Sequence, residues 1–73
     1  MDILGTIKQI LWEKHQITPG QITESATLKD LGLDSIDALE LTCELEERLE
    51  VDLGDEIMSV KTVGELVQYI QSR

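Results

Sequence analysis

The stretch that decides the fold runs from Leu31 to Leu41 and reads LGLDSIDALEL. Asp34 and Ser35, near its middle, are residue types that accept hydrogen bonds from the free N–H groups at the start of a helix. Beyond them, apolar residues recur on one helical face: Ala38, Leu41, Leu45 and Leu49. This spacing predicts a second helix over about residues 35 to 50 with one buried face.

A first helix is predicted upstream, over about residues 2 to 15. Its apolar residues also share one face: Ile3, Leu4, Ile7, Ile10 and Leu11. The pattern ends before Pro19-Gly20, a pair that breaks helices. A long connection over about residues 16 to 33 follows, and its isolated apolar residues should pin it to the core: Ile17, Ile22, Leu28, Leu31 and Leu33.

Downstream, Gly54 marks a break and residues 55 to 60 could form one short helical turn. The last helix begins at Thr62 with a predicted capping box, in which Thr62 and Glu65 satisfy each other's backbone donors. Its buried face comprises Val63, Leu66, Val67 and Ile70. The sequence therefore predicts an all-α fold, a small four-helix bundle of three main helices plus one short helix, formed by residues 1–73 as a single domain.

Charge and composition restrict the function. Fifteen acidic residues oppose six basic ones, for a net charge of −9. Such a surface is unsuited to nucleic acid or to anionic membranes and suits a basic patch on a protein partner. No signal peptide is expected, and no apolar stretch of the sequence is long enough to span a bilayer. The prediction is a cytoplasmic, monomeric protein that inserts into no membrane.

Three other residues have simple predicted roles or none. Cys43 is the single cysteine, so no internal disulfide can form, and it is expected to be small, apolar and buried. His15, near the end of the first helix, is expected to be an ordinary surface or half-buried residue. Trp12 lies off the apolar face of that helix, and the pattern leaves open whether it packs on the long connection or lies exposed.

The second helix carries four carboxylates on one face: Asp37, Glu40, Glu44 and Glu47. We call this set the acidic stripe. Like charges at such spacings repel one another, and only Arg48 interrupts them in this helix. The arrangement makes sense if a basic partner reads the stripe. Ser35 lies at the positive end of the helix dipole, where an attached phosphodiester would be well placed.

The stretch from Leu31 to Leu41 resembles the signature of acyl carrier proteins. The resemblance extends through Leu45-Glu46-Glu47 and on to Thr62–Leu66 and Tyr69-Ile70, which is nearly the whole chain. Ile36 stands where the family more often has Leu, and Gly54 where many members have Pro. The family also has a four-helix fold, in agreement with the pattern above.

The resemblance implies a function for each residue of the motif. Ser35 would carry 4′-phosphopantetheine, transferred from coenzyme A by a phosphopantetheinyl transferase, and the thiol of this arm would hold acyl groups as thioesters. Asp34 would help the transferase position its metal and substrate. Ile36 and the acidic stripe would dock basic patches of acyl transferases, ketosynthases and other acyl-processing enzymes of fatty acid or polyketide-type synthesis.

Other functions are less well supported. Ser35, His15 and an aspartate could nominally form a triad, but no Gly-x-Ser-x-Gly elbow is present, so no enzyme and no catalytic residue is expected. Asp30 and Asp34 have the spacing of a calcium loop, but Gly32 and Leu41 stand where oxygen ligands are needed, so no metal site is expected. An unmodified acidic interaction module and a peptidyl or aminoacyl carrier remain as alternatives.

Overall fold

Three α-helices dominate the computed structural model: α1 (Ile3–His15), α2 (Ser35–Leu49) and α3 (Val63–Gln71). A short 3₁₀ helix, Asp55–Ser59, lies between α2 and α3. The predicted all-α fold with three main helices and one short helix is therefore confirmed, with the short one wound as 3₁₀. The predicted bounds of α1 and α2 and the predicted start of α3 agree with those observed to within about a residue.

The structure describes residues 2–72, and for Asp55 and Met58 the backbone alone. Met1 and Arg73, the ends of the predicted 1–73 unit, lie outside the described residues. Within the described range, no helix is both long and apolar enough to cross a bilayer.

Local hydrogen bonds set the start of each helix. The Gly5 N–H donates to the Asp2 carboxylate at 2.9 Å at the start of α1. At α3, the Glu65 N–H donates to the Thr62 hydroxyl at 3.1 Å, as predicted. The second predicted bond of the capping box, from the Thr62 N–H to the Glu65 carboxylate, is wrong. That carboxylate accepts from the N–H of Lys61 instead, at 3.5 Å.

One core is built from the predicted apolar faces of all three helices. Its fully buried members from the helices include Ile7, Leu11, Leu45 and Val63, each with no exposed surface. Leu53, from the segment after α2, is also fully buried. Such side chains each contribute about 1.5–3 kcal/mol relative to an exposed position, and this burial stabilises the fold.

The long connection lies over the core, as its isolated apolar residues predict. Ile22 and Leu33 are buried, and Ile17, Leu28 and Leu31 are partly buried against the same core. A 3₁₀ turn, Pro19–Gln21, begins the connection. Gly32 then adopts a positive φ of 80°, which an L side chain rarely tolerates, and so directs the chain into α2.

The helices α1 and α2 are joined by more than apolar contacts. α1 packs against both α2 and α3. Arg48 Nη2 lies 2.6 Å from Glu13 Oε1, and Arg48 Nε lies 2.9 Å from Glu44 Oε1. The contact with Glu13 joins the last part of α1 to the end of α2, and the contact with Glu44 lies within α2.

Candidate functional site

Ser35 occupies the first position of α2, and its side chain is exposed. Within residues 2–72, no protein group forms a hydrogen bond with the Ser35 hydroxyl. The hydroxyl is therefore free and faces solvent on a well-fixed helix end. These properties fit the attachment of a prosthetic group to the Ser35 oxygen by another enzyme.

Asp34 is the N-cap of α2. The sequence predicted that either Asp34 or Ser35 would cap this helix, and the structure shows that Asp34 does. The Asp37 N–H donates to Asp34 Oδ1 at 2.9 Å, and the Asp34 N–H donates to Asp37 Oδ2 at 3.2 Å. This reciprocal arrangement holds the backbone on both sides of Ser35.

The same contacts keep Asp34 ionised. The backbone N–H of Asp37 stabilises the carboxylate and lowers the pKa of Asp34 below its ordinary value, against a smaller opposing effect of desolvation. An anionic, exposed carboxylate therefore stands directly beside the Ser35 hydroxyl at neutral pH. Such a group can attract a metal-bearing or basic partner to this serine.

The predicted docking residues do not all have the same environment. Ile36 is 66% exposed, and Glu40 and Glu47 are also exposed. Asp37 is half-buried and partly engaged in the cap of α2. Ile36, Glu40 and Glu47 are thus the members of the predicted set that a partner can reach most directly.

Glu44 is held by contacts that the sequence did not predict. It is half-buried, and it accepts from Arg48, which also binds Glu13 of α1. Arg48 therefore offsets the negative charge of Glu44 within the protein. The negative charge of the acidic stripe is consequently greater around Glu40 and Glu47 than around Glu44.

Two residues of α2 lie on its solvent-exposed face, which the sequence did not predict. Cys43, expected to be buried, is exposed, and Leu39 is 52% exposed. Residues that are two positions apart on a helix point about 200° apart, so Cys43 faces away from the buried Leu41. Helical spacing from Leu41 and Leu45 could have identified both. Trp12, whose position the sequence left open, is 52% exposed.

The interior between α2, the short 3₁₀ helix and α3 holds only a small, apolar cavity. Its cavity measures about 30 Å³ and is lined by residues that include Leu41, Ile57 and Leu66. That volume is well below the roughly 300–1,000 Å³ of a typical small-molecule pocket. An acyl chain would therefore need these elements to separate before it could enter.

Comparisons with known proteins show what the chain is similar to. The family model described as the phosphopantetheine attachment site matches residues 5–70. An acyl carrier protein of Wolinella succinogenes is 36% identical over 99% of this chain and 97% of its own length. An acyl carrier protein of Clostridium perfringens is 44% identical over 88% of this chain and 87% of its own.

A solved structure is also similar. The crystal structure of an acyl carrier protein from Thermotoga maritima superposes with a TM-score of 0.82 at 28% sequence identity, covering 94% of this chain and 84% of that one. The chain belongs to the acyl carrier protein family. As an acyl carrier protein it has a covalently attached phosphopantetheine group, and it works with enzymes that process acyl groups.

Within the acyl carrier protein fold, the structure brings together the start of α2, the exposed Ser35 and the carboxylates that follow it. When bound, the phosphopantetheine group supplies a thiol that holds acyl groups as thioesters.

Proposed function

We propose that Ser35 is the attachment point for 4′-phosphopantetheine. The observation that carries this proposal is the exposed, unbonded hydroxyl of Ser35 at the first position of α2, beside the ionised Asp34. Asp34 is the group that would help a phosphopantetheinyl transferase orient its metal and the coenzyme A donor. The protein itself catalyses no reaction in this proposal, since it supplies an anchor and a recognition surface.

The docking surface in this proposal comprises Ile36, Asp37, Glu40, Glu44 and Glu47. Its exposed members, Ile36, Glu40 and Glu47, combine an apolar contact with negative charge. Acyl transferases, ketosynthases and other acyl-processing enzymes would bind it through basic patches. Charge-led contacts give fast association and ready release, which a carrier that visits several enzymes requires.

The wider setting follows from the same features. The cargo proposed is an acyl group of fatty acid or polyketide-type synthesis, since the similar proteins are named acyl carrier proteins. A peptidyl or aminoacyl carrier and an unmodified interaction module have no comparable support. With a net charge of −9, copies of the chain repel one another, so we place it as a monomeric, single-domain protein of the cytoplasm.

The deciding experiment is the intact mass of the unmodified protein before and after incubation with coenzyme A and a broad-specificity phosphopantetheinyl transferase. We expect the wild type to gain one phosphopantetheine. Ser35→Ala should gain none, whereas Ser25→Ala, which alters another exposed serine, should gain as much as the wild type. Circular dichroism would verify that each variant is folded.

Two outcomes would contradict the proposal. A gain of mass on folded Ser35→Ala would place the attachment at another residue. The absence of any gain on folded, unmodified wild type would remove the carrier mechanism for this chain and favour the unmodified interaction module.

A further inference from the structure

Three metal-ligating side chains converge between α1 and α2: His15, Asp37 and Glu40. One ligand atom of each lies within 4.8 Å of the others. His15 is the last residue of α1, while Asp37 and Glu40 lie in the first two turns of α2. The three residues are 22 and 3 positions apart in sequence, so they form no local motif, and the sequence predicted no metal site here.

The groups in this cluster retain free ligand atoms. Within residues 2–72, the His15 side chain forms no hydrogen bond and no ion pair. Asp37 uses one carboxylate oxygen to accept from the Asp34 N–H, and its other oxygen is not engaged. The Glu40 carboxylate is exposed and can turn without disturbing the core.

The spacing suits a small cation after a modest adjustment. A tetrahedral Zn²⁺ with ligand distances of about 2.0–2.2 Å holds its ligand atoms about 3.4 Å apart. Rotation of the Glu40 and His15 side chains, neither of which forms a hydrogen bond within residues 2–72, can close the remaining gaps. Asp37 and Glu40 also repel each other across less than one helical turn, and a cation between them would remove that repulsion.

An ion can reach the cluster from solvent. His15 and Glu40 line an open groove of about 360 Å³ between the last turn of α1 and the middle of α2. Glu44 and Cys43 lie along the same groove. The net charge of −9 attracts cations to the surface in general, and the imidazole distinguishes this position from the other carboxylates.

We propose that His15, Asp37 and Glu40 form a binding site for a divalent transition-metal ion, with Zn²⁺ as the ion that fits the ligand set. One imidazole and two carboxylates match zinc, and water would complete its coordination. Mg²⁺ prefers an all-oxygen octahedral shell and should bind here more weakly. The ion would neutralise two carboxylates of the docking surface. This effect on docking rests on the proposed function, whereas the binding of the ion does not.

The test is a titration of the full, tag-free chain with ZnCl₂, with Ser35 unmodified so that no arm thiol is present. Calorimetry gives the affinity, and NMR of the imidazole ¹⁵N nuclei reports on coordination, because His15 is the single histidine. We expect one Zn²⁺ per chain, with a His15 ring signal that shifts and saturates. His15→Gln and Glu40→Gln should each weaken binding at least about tenfold.

Matched controls distinguish Zn²⁺ binding at this site from general attraction of the cation to the acidic surface. Glu47→Gln removes the same charge on the same helix outside the cluster and should change the affinity by less than about twofold. Cys43→Ser should retain the wild-type affinity, and Mg²⁺ should leave the His15 ring signal in place. Circular dichroism would verify the folding of every variant.

Several results would overturn the proposal. Unshifted His15 ring signals at saturating Zn²⁺ would show that the imidazole is not a ligand. Equal losses of affinity in Glu47→Gln and Glu40→Gln would show general charge attraction. Loss of binding in Cys43→Ser would assign the metal to the thiol.

Discussion

The guanidinium of Arg48 in α2 reaches the carboxylate of Glu13 in α1, with Nη2 2.6 Å from Oε1. Glu13 and Arg48 are 35 residues apart in sequence. Arg48 also binds Glu44 of its own helix at 2.9 Å. One cation therefore links two helices and offsets one charge of the acidic stripe.

Arg48→Ala should lower the melting temperature modestly. We expect a decrease of about 1–5 °C at low salt, because exposed ion pairs are weak and act here mainly by joining α1 to α2. The decrease should shrink in about 1 M NaCl, where such charges are screened. Thermal unfolding followed by circular dichroism measures both.

The control for Arg48 is Lys29→Ala, which removes an exposed cation that has no ion pair within the described residues. It should lower the melting temperature less than Arg48→Ala does. Equal decreases in the two variants would mean that net charge, and not the contact with Glu13, determines the effect.

Ile36→Ala should impair docking and leave the fold intact. The side chain is 66% exposed, so we expect a melting temperature within about 4 °C of the wild type. If a phosphopantetheinyl transferase contacts Ile36, its kcat/KM for the chain should fall at least about fivefold. Steady-state kinetics of phosphopantetheine transfer would measure this.

Trp12→Ala is the matched control for Ile36→Ala. Trp12 is also a large apolar side chain, 52% exposed, but it lies on α1 outside the docking surface. Its replacement should leave kcat/KM unchanged. An equal loss for both variants would argue against a specific role for Ile36.

Gly32→Ala should destabilise the protein by about 1–2 kcal/mol. No atom lies within 4 Å of the position that an added Cβ would take, so the cost arises from the φ of 80° and not from a clash. Denaturant unfolding would measure the change in the free energy of unfolding.

Gly20→Ala provides the contrast for Gly32→Ala. Gly20 also has open space around it, but its φ is not positive. The substitution should be neutral or should stabilise the protein by up to about 1 kcal/mol, because it restricts the unfolded chain. Similar destabilisation at both positions would contradict the explanation from backbone strain.

Acid should weaken the wild type relative to Asp30→Asn. The N–H of Thr27 donates to the Asp30 carboxylate at 3.1 Å and, with the Thr27 hydroxyl, lowers the pKa of Asp30 from its ordinary value of 3.8. A lowered folded pKa gives stability that is fully present above pH 3.8 and is lost as the pH falls through the folded value.

The quantity to measure is the melting temperature of the wild type minus that of Asp30→Asn, from about pH 6 to about pH 2.5. This difference should decrease as the pH falls below the ordinary pKa of Asp30. Only the wild type has an Asp30 carboxylate whose hydrogen bonds are weakened by protonation. A difference that is constant or that rises with acid would contradict the prediction.

The sequence by itself determined the local elements of this protein. The apolar faces of α1, α2 and α3 predicted the three helices. The pair Asp34-Ser35 predicted where α2 begins, and Thr62 predicted where α3 begins. It also placed Ser35 at the start of α2. These features depend on side chains no more than about four residues apart, whose relation on a helix is fixed by its geometry.

The tertiary structure decided what lies across the helix interface. The crossing of α1 on α2 brings Glu13 to Arg48 and His15 to Asp37 and Glu40, and no local spacing encodes that crossing. It also decided that Glu65 accepts from Lys61, since the chain before α3 is held by the bridge between Thr27 and Thr62. Contacts between distant segments depend on how whole helices pack, and packing is a property of the complete core.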